Sequence, residues 1–232
     1  MIILGIESAS QTAGAAVWRD GVILAEYNVN NTRTHSETLL PMLAEVCESA
    51  GIPLDEVDAI ALSGGPGSFT GLRIGSATAK GLGLALSCPL IHVPTTDGIA
   101  FNLMGAAGLV CPIMDARRGE VYTGIYRLTE SFEVLMPAEP MPLAELMDRL
   151  SAWDDPVTFL GDGVRVHRKA IEETMGERAR FAPAHLAMAR AGALAALGAV
   201  YFAEGKTVSA AEERPDYMRL SQAERVRAEK ES

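Results

Sequence analysis

At 232 residues, 48% hydrophobic and with a formal net charge of −10, the chain can bury the core of one domain or of two small lobes. So acidic a balance argues against gripping a polyanion unaided, and any role on nucleic acid calls for a basic partner. Cys47, Cys88 and Cys111 are odd in number and form no Cys-x-x-Cys pair, which suits reduced thiols in the cytoplasm and excludes a disulfide framework.

The first elements alternate apolar runs with short polar turns. Residues 2–6 are apolar, with no basic leader before Glu7, so no signal peptide is expected. Residues 13–18 return as a second strand, Asp20 and Gly21 supply a hairpin turn, and residues 22–29 form a third, giving an antiparallel meander. The period then changes. Leu39, Leu40, Leu43, Val46, Cys47 and Ala50 fall at helical spacing, with Thr34 or Ser36 able to cap and Gly51 and Pro53 ending the helix. A strand at 58–63, a helix at 72–87 and a strand at 90–93 complete β-α-β.

The stretch SGGPGSFTGLRIG, residues 63–75, joins that strand to that helix. Gly64, Gly65 and Gly67 tolerate conformations closed to other residues, Pro66 fixes its own φ, and Ser68 or Thr70 can cap the helix. The amides of such an elbow suit an anion, so Gly64, Gly65, Gly67, Ser68 and Thr70 are the candidate anion or nucleotide loop. A tight turn that binds nothing is the simpler reading. The stretch is neither a P-loop, since no Gly-Lys-Ser/Thr closes it, nor a dinucleotide fingerprint. Along the helix, Gly71, Gly75, Ala79 and Gly83 recur every four residues on one slowly rotating line. Interior glycines cost up to about 1 kcal/mol each against alanine. Something must therefore pack closely there, either the chain's own sheet or another helix, including a partner's.

A second series follows from residue 96: a helix at 96–104, strands at 109–114, 120–128 and 132–135, a helix at 142–150, a strand at 157–160 and a helix at 164–175. It repeats the first in shorter form. A long apolar helix at 185–204 carries Arg190 and is rich in alanine and glycine, which suits a buried helix rather than a membrane span. The polar tail from Pro215 is expected to be partly helical and frayed at its end. Three antiparallel strands followed by β-α-β, made twice, is an α/β two-lobed ribonuclease-H-like order, that of the actin-like ATPase and sugar-kinase class. The lobes are expected at 1–95 and 96–232.

Groups for chemistry are sparse. His35, His92, His167 and His185 make no metal-binding pair, so a metal hydrolase is not expected. His35 reads as a capping residue at a helix start. Glu7 stands where a two-lobed nucleotide-binding protein would hold Mg²⁺, but the hairpin after it lacks the usual glycine and threonine arrangement. The turn at Asp115, Arg117 and Arg118 can meet a phosphate or simply be charged, and Gly161-Asp162-Gly163 can touch a ligand or turn the chain.

Five stretches, in order and spanning nearly the whole chain, resemble one family: ILGIES ending at Ser8, HSETLLP at 35–41, GGPGSFTGLRIG at 64–75, DARRGEVY at 115–122 and YMRLSQAE at 217–224. The family is that of the bacterial tRNA threonylcarbamoyladenosine biosynthesis proteins TsaB. The resemblance implies a non-catalytic, cytoplasmic subunit without cofactor, similar in fold to the catalytic subunit TsaD. TsaD transfers threonylcarbamoyl to N6 of adenosine 37 in tRNAs reading codons that begin with A. It implies pairing with TsaD through the first lobe, action together with the ATPase TsaE, self-association through the same surface, and only indirect contact with tRNA. Leu39, Leu43 and Val46 of the first helix, with Gly71, Gly75, Ala79 and Gly83, are then expected at the partner interface. One departure is Glu7, where the family more often has aspartate. The alternative is a small-molecule kinase or ATPase of the same two-lobed class, which would show Mg²⁺-dependent turnover lost on changing Glu7.

Overall fold

The computed structural model describes residues 1–30 and 35–218. The capping role expected of Thr34, and the YMRLSQAE stretch beyond Met218, lie outside the described residues. The meander comprises β1 (Ile2–Glu7), β2 (Ala13–Arg19) and β3 (Val22–Val29), followed by helix α1 (His35–Ala50). Next come β4 (Ala59–Gly65), helix α2 (Phe69–Leu86) and β5 (Leu90–Pro94). Their sheet has the order β3-β2-β1-β4-β5, antiparallel from β1 to β3 and parallel from β1 to β5. The hairpin turn is as expected: Asp20 and Gly21 sit at φ 48° and 90°, a geometry that glycine accepts freely and aspartate tolerates.

A short helix α3 (Thr95–Phe101) crosses to the second sheet. There β6 (Leu109–Asp115), β7 (Glu120–Arg127) and β8 (Glu133–Pro142) are antiparallel. After helix α4 (Leu143–Leu150), β9 (Val157–Leu160) pairs parallel to β6; helix α5 (Val164–Met175) leads on to β10 (Ala179–Phe181). The order β10-β9-β6-β7-β8 repeats that of the first sheet. The repeat expected from the sequence is therefore present, and the molecule has the two-lobed, actin-like α/β architecture. Two features escaped the pattern. The third strand of the second lobe runs ten residues rather than four, and β10 has only three residues, too few for any periodicity to register.

Helix α6 (Ala191–Ala203) corrects the expected division of the chain. Although it follows the second sheet in sequence, it packs on β1, β2, β4 and β5 of the first. Leu194, Ala195, Leu197 and Ala199 share a core with Ile3, Ala61 and Ile91. The opposite face of the same sheet is covered by α1 and α2, whose Leu39, Leu43, Val46 and Ala79 meet Leu4, Ile6, Ile60 and Leu62. A sheet buried on both faces explains why β1 and β4 are continuous apolar or small-residue runs, with every residue buried. The start of α6 is fixed by β3: Asn28 accepts from the Ala191 amide at 3.0 Å, Glu26 accepts from the Gly192 amide at 2.8 Å, and Glu26 pairs with Arg190. A carboxylate at a helix start is favoured by the orphan amides there. Burial tends to raise the Glu26 carboxyl, but the Arg190, Asn28 and Gly192 contacts outweigh it and hold the group below its ordinary range.

After α6 the chain runs back over the first lobe. Val208 exchanges two backbone hydrogen bonds of 2.9 Å with Leu90, lengthening the edge of the sheet by one bridge. Ala210 enters the core beside Gly83. Glu213, 1% exposed, meets Ser76 and lies 3.8 Å from His92 Nδ1, while Lys80 donates to its carbonyl at 2.9 Å. The sequence boundary at 95/96 separates the two sheets, yet residues 191–218 belong with the first.

Candidate functional site

The ends of β1 and β4 point at one corner, where the first hairpin (residues 7–12) lies against the glycine loop. Ser63, the fifth residue of β4, accepts from the Ser8 and Ala9 amides at 3.1 and 3.3 Å. The Ser68 amide donates to the Ala9 carbonyl at 2.7 Å, and the Ser8 hydroxyl donates to the Gly71 carbonyl at 3.0 Å. These contacts demand glycine. A Cβ on Gly67 would stand 2.3 Å from the Ala9 carbonyl oxygen, and one on Gly71 would stand 2.1 Å from that of Ser8. Gly65, at φ +126°, faces the Asp216 carbonyl, and the Asp216 amide donates to the Gly64 carbonyl at 2.7 Å. Gly64 itself lies under the His92 ring. The glycines thus admit the chain's own hairpin and tail, the role left open beside ligand binding.

Of the two expected caps, Ser68 performs the function, accepting from the Gly71 amide at 3.3 Å, and Thr70 is exposed. Phe69 turns outward, with Tyr217 of the tail stacked on it at 4.8 Å between centroids and Arg73 over its ring at 4.9 Å.

The line of small residues on α2 faces inward. Gly71 and Gly75 meet Ser8, Ala79 enters the core, and Gly83 packs on Leu90 and Ala210. Leu39, Leu43 and Val46 are likewise buried beneath α1. None of these seven residues lies on the surface of the lobe, which corrects their expected direct contact with a partner: the own-sheet alternative holds, because close approach of the hairpin already consumes the missing side-chain volume. What α1 and α2 present outward is Leu40, 58% exposed, and Leu84, 66% exposed. Replacing Gly71 with alanine is expected to cost about 2 kcal/mol despite alanine's better helix propensity, since backbone must move to admit the methyl. Urea midpoints of the two chains would check this.

Glu7 is the charged residue at the corner. It is 2% exposed, and its Oε1 accepts from the Ala9 amide at 2.9 Å, the Ser10 amide at 3.2 Å and the Ser10 hydroxyl at 3.2 Å. Burial pushes its carboxyl up to about 7 despite those bonds and the Ser63 hydroxyl, which pull the other way. His35, expected to cap α1, instead places Nε2 3.1 Å from the Ser10 carbonyl, and Thr12 donates to Asn30 at 2.5 Å. The hairpin is braced on every side.

Across the cleft stand the two second-lobe turns. Gly161, at φ +101°, and Gly163 close on the end of β6 through Ile113. Burial raises the Asp162 carboxyl; the Asp115, Gly163 and Gln11 amides hydrogen-bond to it, the last from the first hairpin. Gly161-Asp162-Gly163 therefore turns the chain and ties the lobes together. Arg117 and Arg118 occupy left-handed conformations, φ 68° and 58°, in an exposed turn where Asp115 accepts the Arg117 amide at 2.8 Å. Among the described residues, no three His, Cys, Asp or Glu side chains gather as a metal site, and no helix is long and apolar enough to cross a membrane.

Comparison with known proteins matches this geometry to a lineage. Residues 23–226 match the family model of TsaD, tRNA N6-adenosine threonylcarbamoyltransferase. The tRNA threonylcarbamoyladenosine biosynthesis protein TsaB of Bacillus subtilis is 34% identical over 97% of this chain and 96% of its own length. YeaZ from Pseudomonas aeruginosa superposes with a TM-score of 0.78 at 28% identity, over 93% of this chain and 99% of its own. The ROK hexokinase of Thermus thermophilus shares the fold alone, with a TM-score of 0.52 at 12% identity over 88% of this chain and all of its own. The two-lobed frame is thus common to enzymes and non-enzymes, but the near full-length match to TsaB is specific, and the chain belongs to the TsaB family of tRNA threonylcarbamoyladenosine biosynthesis proteins.

Proposed function

We propose that this chain is a non-catalytic accessory subunit for threonylcarbamoylation of adenosine 37 in tRNAs reading codons that begin with A. It acts by binding and activating the catalytic subunit TsaD together with the ATPase TsaE. The observation that carries this reading is that both loops of the phosphate-binding type are filled by the chain itself: Glu7 takes the hairpin amides, and the hairpin and tail cover the glycine loop. A lobe closed in this way is suited to being recognised rather than to turning over a nucleotide.

The surface offered for recognition is the outward side of α1 and α2, where Leu40 and Leu84 stand exposed. Paired helices presenting apolar side chains fit a matching helix pair in a four-helix arrangement, with TsaD or with a second copy of the chain. The acidic net charge leaves the tRNA to the partners. The test is threonylcarbamoyl transfer to tRNA by purified TsaD and TsaE, with and without this chain, alongside the chain alone. Activity that appears only on its addition, with the chain alone inert, is expected. Partners that run equally well without it, or Mg²⁺-dependent nucleotide turnover by the chain alone that is lost on changing Glu7, would favour the kinase reading instead.

Leu84→Glu places a charge on the proposed surface without touching the core. It should weaken association with TsaD by at least about tenfold, roughly 1.4 kcal/mol, with an unchanged melting temperature. Binding within a factor of two of wild type would remove this face from the interface.

A further inference from the structure

The turn between β1 and β2 carries more than a hairpin needs. A short hairpin loop closes with backbone hydrogen bonds alone, yet here two successive amides and a hydroxyl, from Ala9 and Ser10, converge on a single side-chain oxygen, Glu7 Oε1. Successive amides aimed at one point form the concavity that receives phosphate and carboxylate oxygens in many proteins. The carboxylate that fills it is among the most deeply buried charged groups in the chain. The interactions shaping its ionisation come from amides and hydroxyls, with no cation among them. Burying an acid in this way opposes folding, and the upward push on the Glu7 carboxyl, to about 7, measures that opposition. An uncharged residue of similar size would avoid the penalty, so the position is occupied for the oxygen it supplies to the amides. The surroundings are already committed: Ser63 backs the same hairpin through the Ser8 and Ala9 amides, and the Ala9 carbonyl takes the Ser68 amide of the glycine loop.

We propose that Glu7 is the resident anion of an anion-binding nest, occupying with its own carboxylate the Ala9 and Ser10 donors that would otherwise hold a phosphate oxygen, and that removing the carboxylate makes this hairpin a site for inorganic phosphate. One side chain then separates a lobe closed to phosphate from one open to it. Trimming Glu7 to alanine frees three donors and a space comparable to a small oxyanion, while Glu7→Gln leaves an amide oxygen over the same donors.

The test is calorimetric titration of inorganic phosphate into the full chain as wild type, Glu7→Ala and Glu7→Gln, with sodium chloride at matched ionic strength to account for screening. Saturable one-to-one binding by Glu7→Ala is expected, with a phosphate-dependent rise in its melting temperature of about 3 °C or more near saturation. Neither wild type nor Glu7→Gln should show either response. A folded Glu7→Ala that ignores phosphate, or wild type binding phosphate as tightly as the variant, overturns the proposal. Should Glu7→Ala not fold unaided, its refolding is followed in phosphate and in matched chloride. Recovery in phosphate alone supports the nest, and no recovery in either overturns it. Failure here would leave the accessory-subunit reading untouched, since that rests with the transfer assay.

Discussion

Glu7→Gln is expected to flatten the pH dependence of stability, gaining about 3 kcal/mol on wild type between pH 4.5 and pH 8. The size follows from the Glu7 carboxyl, which titrates near 4.5 in the unfolded chain and is pushed by burial up to about 7 in the folded one. Between those values the folded state binds more protons than the unfolded state. Wild-type stability therefore falls as pH rises through the window and levels off just above it. Glutamine imitates the protonated acid throughout and has no such slope. The Asp97 and Asp162 carboxyls are also raised by burial, while those of Glu26 and Glu213 are lowered, the latter by His92 and Ser76 against the opposing effect of burial. Only the difference between variant and wild type isolates Glu7. Urea unfolding of both chains at half-unit steps from pH 4.5 to 8.5 gives it, and parallel stability curves would rule out a buried titrating Glu7.

The same residue shows where sequence reading reached its limit. That Glu7 ends the first strand was plain from ILGIES, as were the meander, the repeat of β-α-β and the elbow after β4, because each rests on local periodicity or on turn residues. What Glu7 does was not legible. Its partners are its own downstream amides, and their convergence depends on hairpin geometry that no spacing records. The glycines every four residues in α2 announced close packing but not its object; a bare helix face looks the same whether Ser8 or another molecule lies against it. Choosing a partner there placed buried residues at an interface, whereas Leu40 and Leu84, between them on the same helices, carried the outward signal. The long apolar helix gave no sign of its sheet for a related reason. Residues 191–203 are apolar all round, so they record burial without direction. The cue lay instead in Glu26, Asn28 and Arg190, polar residues more than 160 positions apart that meet at the start of the helix.

Those long-range ties bear on how the two sheets are held to one another, and the strongest test of that is Asp97. The residue lies in the seven-residue crossover α3 and is buried, 6% exposed. Oδ1 accepts from the Tyr126 hydroxyl at 2.7 Å, and Oδ2 accepts from the Tyr201 hydroxyl at 2.8 Å. Tyr126 belongs to β7 of the second sheet and Tyr201 to α6, which packs on the first, so one carboxylate joins both halves and the segment between them. Burial, reinforced by the Asp97 charge, raises both phenols well above their ordinary range, which keeps their protons available to donate. Asp97→Ala strands two hydroxyls, and at roughly 1–3 kcal/mol for each unsatisfied buried group the loss is about 3 kcal/mol once the aspartate's own desolvation is returned. Asp97→Asn keeps an acceptor for one tyrosine and should cost about half as much. Tyr126→Phe and Tyr201→Phe each remove one donor and should cost about 1 kcal/mol in the wild-type background, but little once Asp97 is alanine. A double-mutant cycle by urea unfolding therefore tests the node itself: coupling near zero would mean that apolar packing alone positions the lobes, whereas coupling of the expected size makes this buried carboxylate the pin that sets the α1–α2 face, through α6 and the first sheet, at a fixed attitude to the rest of the chain.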